Sequence, residues 1–439
     1  MRINTIEVRE PSRPSLAQPA PTSPHRLGLE KVILARPDDA TPPSPDKRLR
    51  IAIVSPEVSS GAGVPHYWLA LAQALSKQHE VHVFTGKTDR RDLGDVKFHM
   101  LPSLDLGWSL AHLTFFVAAG TRFAVARGLR RRPFDLVLGI GALTPFADVA
   151  TVHFVQAREL ELVRLGRFPR ERPRTGLAGL DYALYSRVMS WLGRRFYRST
   201  STLIVAISEG VKRDLAQFEG ALLSATAVVP DGVDVQRFSP AHRDRDRDAT
   251  RKELGLTSEH KAVLFVGNSW GRKGLCTAIE AISGPEQAET RLMVVGQGLS
   301  AAFTEHLSPE VSERLIFVGT HGTDVERFYA AADVFMLPTL YEPFGLVILE
   351  ALASGIPSIV SASAGASEWL EDGVNVVLLQ DPSDGVEARA ALLSITSDPI
   401  FAARLATNGR KAAESLEWGA VANQILQASA SLRAVAAIA

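Results

Sequence analysis

Cysteine is almost absent from this chain, since Cys276 is the single one among 439 residues. A disulfide within the chain is therefore excluded, and this scarcity is typical of proteins from reducing compartments. An excess of charge of one sign is lacking as well, because 48 basic residues balance 48 acidic ones and leave a formal net charge of +0. This balance does not favour a polyanionic partner, so we expect no nucleic-acid binding.

Long hydrophobic runs are also lacking. The most apolar stretch, residues 113–120, is soon followed by Arg122 and is far shorter than the roughly 20 residues that span a bilayer. Residues 1–5 contain no apolar region of the kind found in a secretory signal. Together with the scarce cysteine, these absences indicate a cytoplasmic protein.

The composition that is present, 46% hydrophobic and 22% charged residues, is typical of a globular protein. A length of 439 residues exceeds one ordinary core, so two domains are expected. Residues 1–47 are the exception, because they are rich in proline, serine and alanine and show no hydrophobic period. We predict a disordered tail there, which is dispensable for folding and for donor binding.

Apolar runs typical of buried strands alternate with amphipathic stretches along the rest of the chain. Such runs occur at residues 49–54, 80–85, 134–139, 149–153, 202–208, 262–267, 291–296 and 315–319. The alternation is typical of parallel sheets covered by helices on both faces. We therefore predict an α/β fold with two doubly wound units, residues 48–228 and 229–417, which are joined by a hinge near Pro230.

The most informative segment carries two carboxylates, Glu342 and Glu350, eight positions apart with an apolar run between them. An apolar strand-like run precedes it, and Gly355 and Pro357 follow as a helix-ending signal. We interpret the segment as strand, loop and helix, with Pro343 in the first helical turn. Both carboxylates then lie on roughly one face, where they can accept hydrogen bonds from the hydroxyl pairs of a sugar or a ribose.

This motif resembles the Glu-x7-Glu signature of the family-4 retaining glycosyltransferases, which have GT-B architecture. The resemblance covers the chain from about residue 49 to its end. It implies two Rossmann-like domains that face a central cleft, and a final helix, residues 418–439, that crosses back to the first domain. It also implies that Glu342 lies near the donor sugar and that Glu350 binds the donor ribose. Gly345 and Leu346 are expected donor contacts for the same reason.

Two glycine-containing loops each follow a strand and open a helix. In the first, Gly61 and Gly63 can present backbone amides to an anion, although a plain tight turn is the alternative reading and His66 stands where a dinucleotide motif needs a third glycine. The family resemblance places this loop at the donor phosphates and the acceptor.

The second loop contains Asn268, Arg272 and Lys273. Cations held there would stabilise the charge that develops on a leaving nucleoside diphosphate, whereas surface cations in a polar loop are the alternative. The family's usual arginine directly after the first glycine is absent, since Asn268 takes that position. We expect Arg272 to compensate for it.

Three further sites follow from the resemblance. His153 ends a strand, where its side chain would face the crevice and contact the donor sugar near the anomeric centre. Gly365 and Glu368 match the family's Gly-x-x-Glu pattern, and the amides around Gly365 could join the phosphate cradle. Glu368 could equally be an acid at a helix start without a ligand.

Two charged stretches are interpreted differently. Residues 244–248 contain Asp-x-Asp, a metal-binding signature of another transferase architecture, but their alternating charges are typical of a solvated linker. Residues 158–174 carry six arginines between apolar residues and could meet an anionic or lipid-linked acceptor at a membrane surface, with a solvated loop as the alternative.

The sequence therefore predicts a retaining hexosyltransferase that moves a sugar from a nucleotide-sugar donor to a hydroxyl acceptor. The expected acceptor is a glycan, a glycolipid, a lipid-linked cell-envelope precursor or a small molecule. His153, Glu342, Arg272 and Lys273 are the expected catalytic residues, without a metal and without a cofactor. A GT-B epimerase or phosphorylase, or a non-catalytic sugar-nucleotide-binding module, is the alternative. Peripheral contact with the inner face of a membrane is compatible with this prediction.

Overall fold

A computed structural model supplies the atomic coordinates for most of the chain. The residues that it describes are 48–61, 63–90, 93–104, 108–128, 133–168, 176–198, 202–321 and 324–438. The predicted tail, residues 1–47, lies outside the described residues.

The described chain forms two parallel β-sheets. The seven strands of the first are β1 (Arg50–Val54), β2 (Glu80–Thr85), β3 (Val96–Met100), β4 (Leu136–Ile140), β5 (Val149–Val152), β6 (Leu203–Ala206) and β7 (Thr226–Val228). The six strands of the second are β8 (Lys261–Val266), β9 (Thr290–Val295), β10 (Leu315–Gly319), β11 (Val334–Leu337), β12 (Ser358–Ser361) and β13 (Val377–Leu379). Most of these strands are buried along nearly their whole length, as expected for parallel strands covered on both faces.

Helices connect the strands. The helices of the first half are α1 (Val64–Ser76), α2 (Trp108–Gly128), α3 (Gln156–Arg164), α4 (Gly176–Phe196) and α5 (Glu209–Asp214). Those of the second half are α6 (Ala241–Glu253), α7 (Leu275–Ile282), α8 (Ala301–Thr304), α9 (Pro309–Ser312), α10 (Glu326–Ala331), α11 (Leu346–Ala353), α12 (Gly385–Ser397), α13 (Pro399–Glu414) and α14 (Trp418–Ile438).

Both sheets have the same winding. The strand orders are β3-β2-β1-β4-β5-β6-β7 and β10-β9-β8-β11-β12-β13, so the order reverses between β1 and β4 and again between β8 and β11. In open parallel sheets, ligands bind beyond the carboxyl ends of the strands at such a reversal. The predicted pair of Rossmann-like units is confirmed. A ligand site is therefore expected beyond the carboxyl ends of β1 and β4 and of β8 and β11.

The last helix returns to the first sheet, as predicted. Val421 and Ile425 of α14 are fully buried in the same apolar cluster as Trp68 and Leu71 of α1. Trp418 joins them with its ring 5.4 Å from that of Tyr67. Each fully buried side chain of this kind contributes roughly 1.5–3 kcal/mol, so α14 is firmly attached to the first half.

The chain passes between the halves at two neighbouring points. Val233 lies on the outward segment after β7, and its N–H donates to the carbonyl of Leu416 on the return segment, 3.0 Å away. A single bridge between Val233 and Glu417 continues this pairing. The outward and return segments are therefore held side by side, while the limits of the domains at residues 228 and 417 stay predictions.

Helix α11 begins later than predicted. It starts at Leu346 after Gly345, whose φ of 104° lies in the left-handed region, so Pro343 is outside the helix. The preceding segment is held by another loop instead, because the N–H groups of Gly365 and Ala366 donate to the carbonyls of Glu342 and Phe344 at 3.0 and 2.9 Å. The prediction of Pro343 in the first turn was wrong, whereas the helix does end two residues before Gly355.

The charged residues 244–248 belong to helix α6 rather than to a solvated linker. Arg247 and Arg251 point from this helix to the carboxylate of Asp333, at 2.6 and 3.2 Å. The Arg247 guanidinium also donates to the carbonyls that end α10. The sequence analysis did not predict this helix. Its hydrophobic period is hidden, because the buried side is formed by arginines that donate to carbonyls, and aspartates stand between them.

The predicted loop at residues 158–174 is partly helical. Its first residues lie in α3, where Arg158 pairs with Glu161 at 2.5 Å, and residues 169–174 lie outside the described residues. In the described part of the chain, every helix is too short or too polar to cross a membrane.

Candidate active site in the cleft between the two sheets

A cleft of about 490 Å³ opens between the carboxyl ends of the two sheets. Its walls come from both halves of the chain, so the two switch points predicted from topology face one space. Ten of the eleven predicted site residues line it, namely Gly61, Gly63, His153, Asn268, Arg272, Lys273, Glu342, Gly345, Leu346 and Glu350.

Lys273 and Glu342 form an ion pair at the centre of this cleft. The Lys273 Nζ lies 2.5 Å from Glu342 Oε2, and the two side chains are only 10% and 11% exposed. Burial alone would raise the pKa of Glu342, but the charges of Lys273 and Arg272 outweigh it and hold the pKa below its usual value. Burial lowers the pKa of Lys273, and the Glu342 charge opposes that shift.

The path of the Lys273 side chain depends on a glycine. A Cβ on Gly267 would lie 2.4 Å from the Lys273 Cδ, and Gly267 has a φ of +143° that other residues rarely adopt. The strand β8 therefore ends in a glycine that leaves a channel for the lysine to reach Glu342.

Arg272 and Asn268 lie on the same loop but have different roles. The Arg272 guanidinium donates to the carbonyl of Tyr341 at 2.6 Å and lies 3.6 Å from Glu342 Oε2. Asn268 accepts a hydrogen bond from the N–H of Gln297 at 2.7 Å, so its amide joins the loops that follow β8 and β9. Arg272 thus brings a second cation to the cleft beside Lys273, and its compensation for the arginine missing at Asn268 stays a prediction.

Glu350 is held by a buried tyrosine. The hydroxyl of Tyr329, itself fully buried, donates to Glu350 Oε2 at 2.7 Å. Burial raises the pKa of Glu350, although the hydrogen bond from Tyr329 opposes the shift. One carboxylate oxygen is therefore fixed by the protein, and the residue lines the cleft five positions after Gly345.

His153 follows β5 directly and is buried against aromatic rings. Its ring lies edge-on to that of Tyr67 with centroids 4.2 Å apart, and its Nε2 is 3.1 Å from the Thr151 hydroxyl oxygen. Burial lowers the pKa of His153 to about 3, so the imidazole is neutral at pH 7. A neutral ring with a fixed orientation can hydrogen-bond a sugar hydroxyl but cannot supply a permanent positive charge.

Asp231 was not predicted as a site residue, yet it lines the cleft beside His153. Its Oδ1 lies 3.7 Å from His153 Nδ1, too far for a hydrogen bond, and has no hydrogen-bond partner among the described residues. Burial raises the pKa of Asp231 to about 8, and the charge of Glu342 acts in the same direction. An acid just beyond the carboxyl end of β7 was the available signal, but the sequence analysis interpreted this segment only as a hinge.

Arg237 is a second cleft residue that the sequence analysis missed. It stands three residues after Asp234, whose carboxylate accepts from the Arg237 N–H at 2.9 Å and fixes the turn. Its guanidinium pairs with Glu326 at 3.1 Å. A third guanidinium or ammonium group thereby faces the cleft from the second half, beside Arg272 and Lys273.

Gly365 is not among the residues that line the cleft, so its contact with the donor stays a prediction. Its N–H is engaged by the Glu342 carbonyl, and a Cβ at this position would come within 2.0 Å of the Pro343 carbonyl oxygen. The glycine is needed because the two loops touch backbone to backbone, so it supports the segment that carries Glu342.

Glu368 connects the two halves. Its carboxylate accepts from the N–H groups of Glu209 and Gly210 at 2.7 and 2.8 Å, which are the first residues of α5. Ser208 caps the same helix, as predicted, by accepting from the Val211 N–H, and its hydroxyl donates to the Pro343 carbonyl at 2.8 Å. The start of α5 is thus bonded to the segment next to Glu342.

His66 and His321 also line the cleft. Burial lowers the pKa of His66, while the Nδ1 of His321 lies 3.0 Å from the Asp324 carboxylate. In the described part of the chain, no group of three or more His, Cys, Asp or Glu side chains has an arrangement that could hold a metal ion.

Two paired Rossmann-like units with the cleft between them define the GT-B architecture, and known structures agree with it. The glycosyltransferase WaaG of lipopolysaccharide biosynthesis superposes with a TM-score of 0.66 at 20% identity, over 85% of this chain and 98% of that one. Sucrose-phosphate synthase from Thermosynechococcus elongatus gives a TM-score of 0.68 at 23% identity, over 88% and 100%. At this level of identity the similarity concerns the fold.

Sequence comparison gives the family. Residues 61–237 match the model of Glycosyltransferase Family 4, and residues 260–397 match that of Glycosyl transferases group 1. With most of its length covered by these two matches, the chain belongs to the family-4 glycosyltransferases, as the Glu-x7-Glu motif predicted.

Curated relatives agree with this assignment. A GDP-mannose-dependent monoacylated alpha-(1-6)-phosphatidylinositol monomannoside mannosyltransferase from Corynebacterium glutamicum is 28% identical over 63% of this chain and 77% of its own length. A D-inositol 3-phosphate glycosyltransferase from Xylanimonas cellulosilytica is 33% identical over 54% of this chain and 58% of its own. Several of the matches span only about half of the relative's length.

Proposed function

We propose that this glycosyltransferase transfers a hexose, with retention of anomeric configuration and without a metal, from a nucleoside diphosphate sugar to a hydroxyl of a cell-envelope glycolipid or its precursor. The observation that carries the proposal is the buried Lys273–Glu342 pair, which lies in one cleft with Arg272, Glu350 and His153.

The diphosphate would bind at the loop of Arg272 and Lys273. A nucleoside diphosphate gains negative charge as the glycosidic bond breaks, and fixed cations in a partly dehydrated cleft stabilise that charge. Arg272 is anchored to the Tyr341 carbonyl and Lys273 to Glu342, so both are positioned before the donor arrives. Such preorganisation makes a divalent metal unnecessary for this step.

The sugar and the ribose would be held by the two carboxylates. Glu350 keeps one oxygen on Tyr329 and offers the rest of its carboxylate to the ribose hydroxyls. Glu342 pairs with Lys273 and lines the cleft with Asp231 and His153, and its charge acts on Asp231, so the hexose would sit among these three residues. His153 would accept or donate one hydrogen bond to the sugar as a neutral ring.

Retention would follow from displacement on one face of the sugar. The bond between the anomeric carbon and the diphosphate oxygen breaks, the acceptor oxygen bonds to the same face, and the acceptor proton passes to the leaving phosphate. A double displacement would instead need an ionised carboxylate as nucleophile. Asp231 has its pKa raised to about 8 by burial, and Glu342 is bonded to Lys273, so neither is suited to that role.

The relatives guide the choice of substrates. The mannosyltransferase from Corynebacterium glutamicum is named as GDP-mannose-dependent and acts on a phosphatidylinositol mannoside. An Anabaena protein of similar fold, Alr3699/HepE, has been crystallised with UDP-glucose. GDP-mannose is therefore the first donor to test, UDP-glucose the second, and an inositol-containing glycolipid the first acceptor. The donor and acceptor of this chain are proposals.

The test begins with binding. Because a ligand that binds only the folded state raises its stability, GDP, UDP and ADP are compared by thermal shift on the full chain. The matching sugar nucleotide is then assayed for transfer in EDTA, and the anomeric configuration of the product is read by NMR. The proposal predicts retained configuration and full activity in EDTA. Inversion, a manganese requirement, a phosphate requirement or release of an isomerised sugar nucleotide would contradict it.

A further inference from the structure

Outside the cleft, helices α2 and α4 pack against each other on the first half. The Ser109 hydroxyl of α2 donates to the Asp181 carbonyl of α4 at 3.2 Å, and the rings of His112 and Tyr185 lie 5.1 Å apart. About half of the strongly exposed large apolar side chains among the described residues lie on these two helices.

Helix α2 is apolar on two opposite sides. Phe115 and Ala119 are fully buried against the first sheet, which satisfies one side. Leu113 and Val117, four residues apart, face outward and are 60% and 61% exposed. A surface helix normally presents a polar face to water, so this outward stripe indicates another apolar environment.

Helix α4 adds a longer stripe. Leu180, Leu184, Val188 and Trp191 recur every three or four residues, which places them on one side of the helix, and they are 45–69% exposed. The exposed charged side chains on α4 are Arg187, Arg194 and Arg195, so every one of them is basic. Asp181, the one acid of α4, is only partly exposed. Apolar residues with a tryptophan, bordered mainly by positive charge, are typical of helices that lie in the headgroup region of an anionic bilayer.

We propose that the α2–α4 face, defined by Leu113, Val117, Leu184, Val188 and Trp191, docks on an anionic lipid bilayer. A second copy of the chain would fit less well, because a symmetric dimer through this face would bring the arginines of α4 against each other. Anionic lipid headgroups complement the same arginines.

The face is connected to the cleft through α3. Gln156 of that helix donates to the Tyr182 hydroxyl and the Ser186 hydroxyl of α4 at 2.7 and 3.0 Å. It stands three residues after His153, which lines the cleft. Docking would therefore bring the edge of the bilayer close to the cleft, where a lipid-borne acceptor is needed. This last step rests on the proposed function, whereas the docking itself does not.

The experiment is co-sedimentation of the full chain with phosphatidylcholine vesicles that contain or lack phosphatidylglycerol, at low and high salt. We expect sedimentation with the anionic vesicles only, weakened by salt. Trp191→Glu and Leu184→Glu should each reduce it roughly tenfold or more, because a charge replaces an apolar contact. Arg194→Gln and Arg195→Gln should each reduce it roughly fivefold.

The matched control is Ile400→Glu on α13, since Ile400 is 83% exposed and far along the chain from this face. It should sediment like the original protein. Absence of sedimentation with anionic vesicles, or equal sedimentation of Trp191→Glu, would overturn the proposal. So would a dimer in light scattering that Leu184→Glu and Trp191→Glu convert to monomer. Hexose transfer to a water-soluble acceptor should be unchanged in all these variants, so loss of the proposed activity and loss of docking remain distinguishable.

Discussion

Replacement of Lys273 by methionine tests the site at its centre. Methionine keeps most of the side-chain volume in the channel beside Gly267 but leaves the Glu342 carboxylate, 11% exposed, without its partner at 2.5 Å. Removal of one member of a buried ion pair costs about 3–5 kcal/mol, because the other charge stays desolvated. We expect Lys273→Met to lower the free energy of unfolding by that amount near pH 7.

The pH dependence of this loss has a definite sign. In the original protein, the lowered pKa of Glu342 stabilises the fold above the unfolded-state pKa of about 4.3, and this contribution is lost as the pH falls. Without Lys273, only Arg272 opposes the effect of burial, so the pKa of Glu342 would be higher than in the original protein and its ionisation would favour the folded state less as the pH rises. The difference in stability between the two proteins should therefore shrink at acidic pH.

A double variant separates stability from binding. Lys273→Met combined with Glu342→Gln removes both charges, so stability should return to within about 1 kcal/mol of the original. Affinity for nucleoside diphosphate should not return, because the cation is still missing, and a lost charged hydrogen bond costs about 1.5–3 kcal/mol, roughly ten- to a hundredfold. Urea unfolding followed by tryptophan fluorescence and calorimetry with GDP or UDP measure the two effects.

The exposed Lys261 at the start of β8 provides the control, since Lys261→Met should change neither quantity. An unchanged unfolding free energy in Lys273→Met would refute the reasoning about the buried pair. Recovery of diphosphate affinity in the double variant would refute the assignment of Lys273 to the phosphates.

Three further predictions concern single carboxylates. Glu350→Ala should weaken nucleoside diphosphate binding roughly ten- to a hundredfold with little change in kcat, whereas Glu342→Ala should mainly lower kcat. Calorimetry measures the first effect and steady-state kinetics the second. The reverse pattern would mean that the roles assigned to the two carboxylates must be exchanged. Asp231→Asn should gain stability relative to the original protein as the pH rises from 6.5 to 8. Ionisation of a buried acid with a pKa of about 8 opposes folding, and His153 stays neutral in that range. A constant difference between the urea midpoints of the two proteins across these pH values would contradict this prediction. Glu368→Gln should loosen the contact with α5 and increase the radius of gyration of the donor-free protein in small-angle scattering, and an unchanged radius would show that this carboxylate does not hold the halves together.

Much of the fold could be predicted because its signals are local. Strands buried on both faces appear as short apolar runs, and β2 and β10 have the bounds that their runs indicated. The cap of α5 was equally local, since Ser208 needs only its neighbour three residues on. The start of α11 could not be predicted in this way, because the segment before it is fixed by Gly365, a residue twenty positions away.

Much of the cleft lining was predicted as well, but for a different reason. Lys273 and Glu342 are 69 positions apart, and the resemblance to a known motif, rather than any local pattern, assigned both to one donor site; their ion pair was not predicted. Asp231 was missed because its importance comes from burial beside His153, which depends on how the two halves close. The sequence analysis could not decide whether Glu368 belongs to the phosphate site or is an acid at a helix start. Its actual partners, the first N–H groups of α5, lie about 160 positions earlier in the chain.

The pairing of Val233 with Leu416 gives the second half the connectivity of a domain inserted into the first. Because the outward and return segments run side by side, the chain that contains β8 to β13 begins and ends at neighbouring points of the first half. A foreign cassette whose two ends are equally close could be grafted there without stretching the chain. The graft would need a carboxylate in place of Glu368 to accept hydrogen bonds from the first N–H groups of α5.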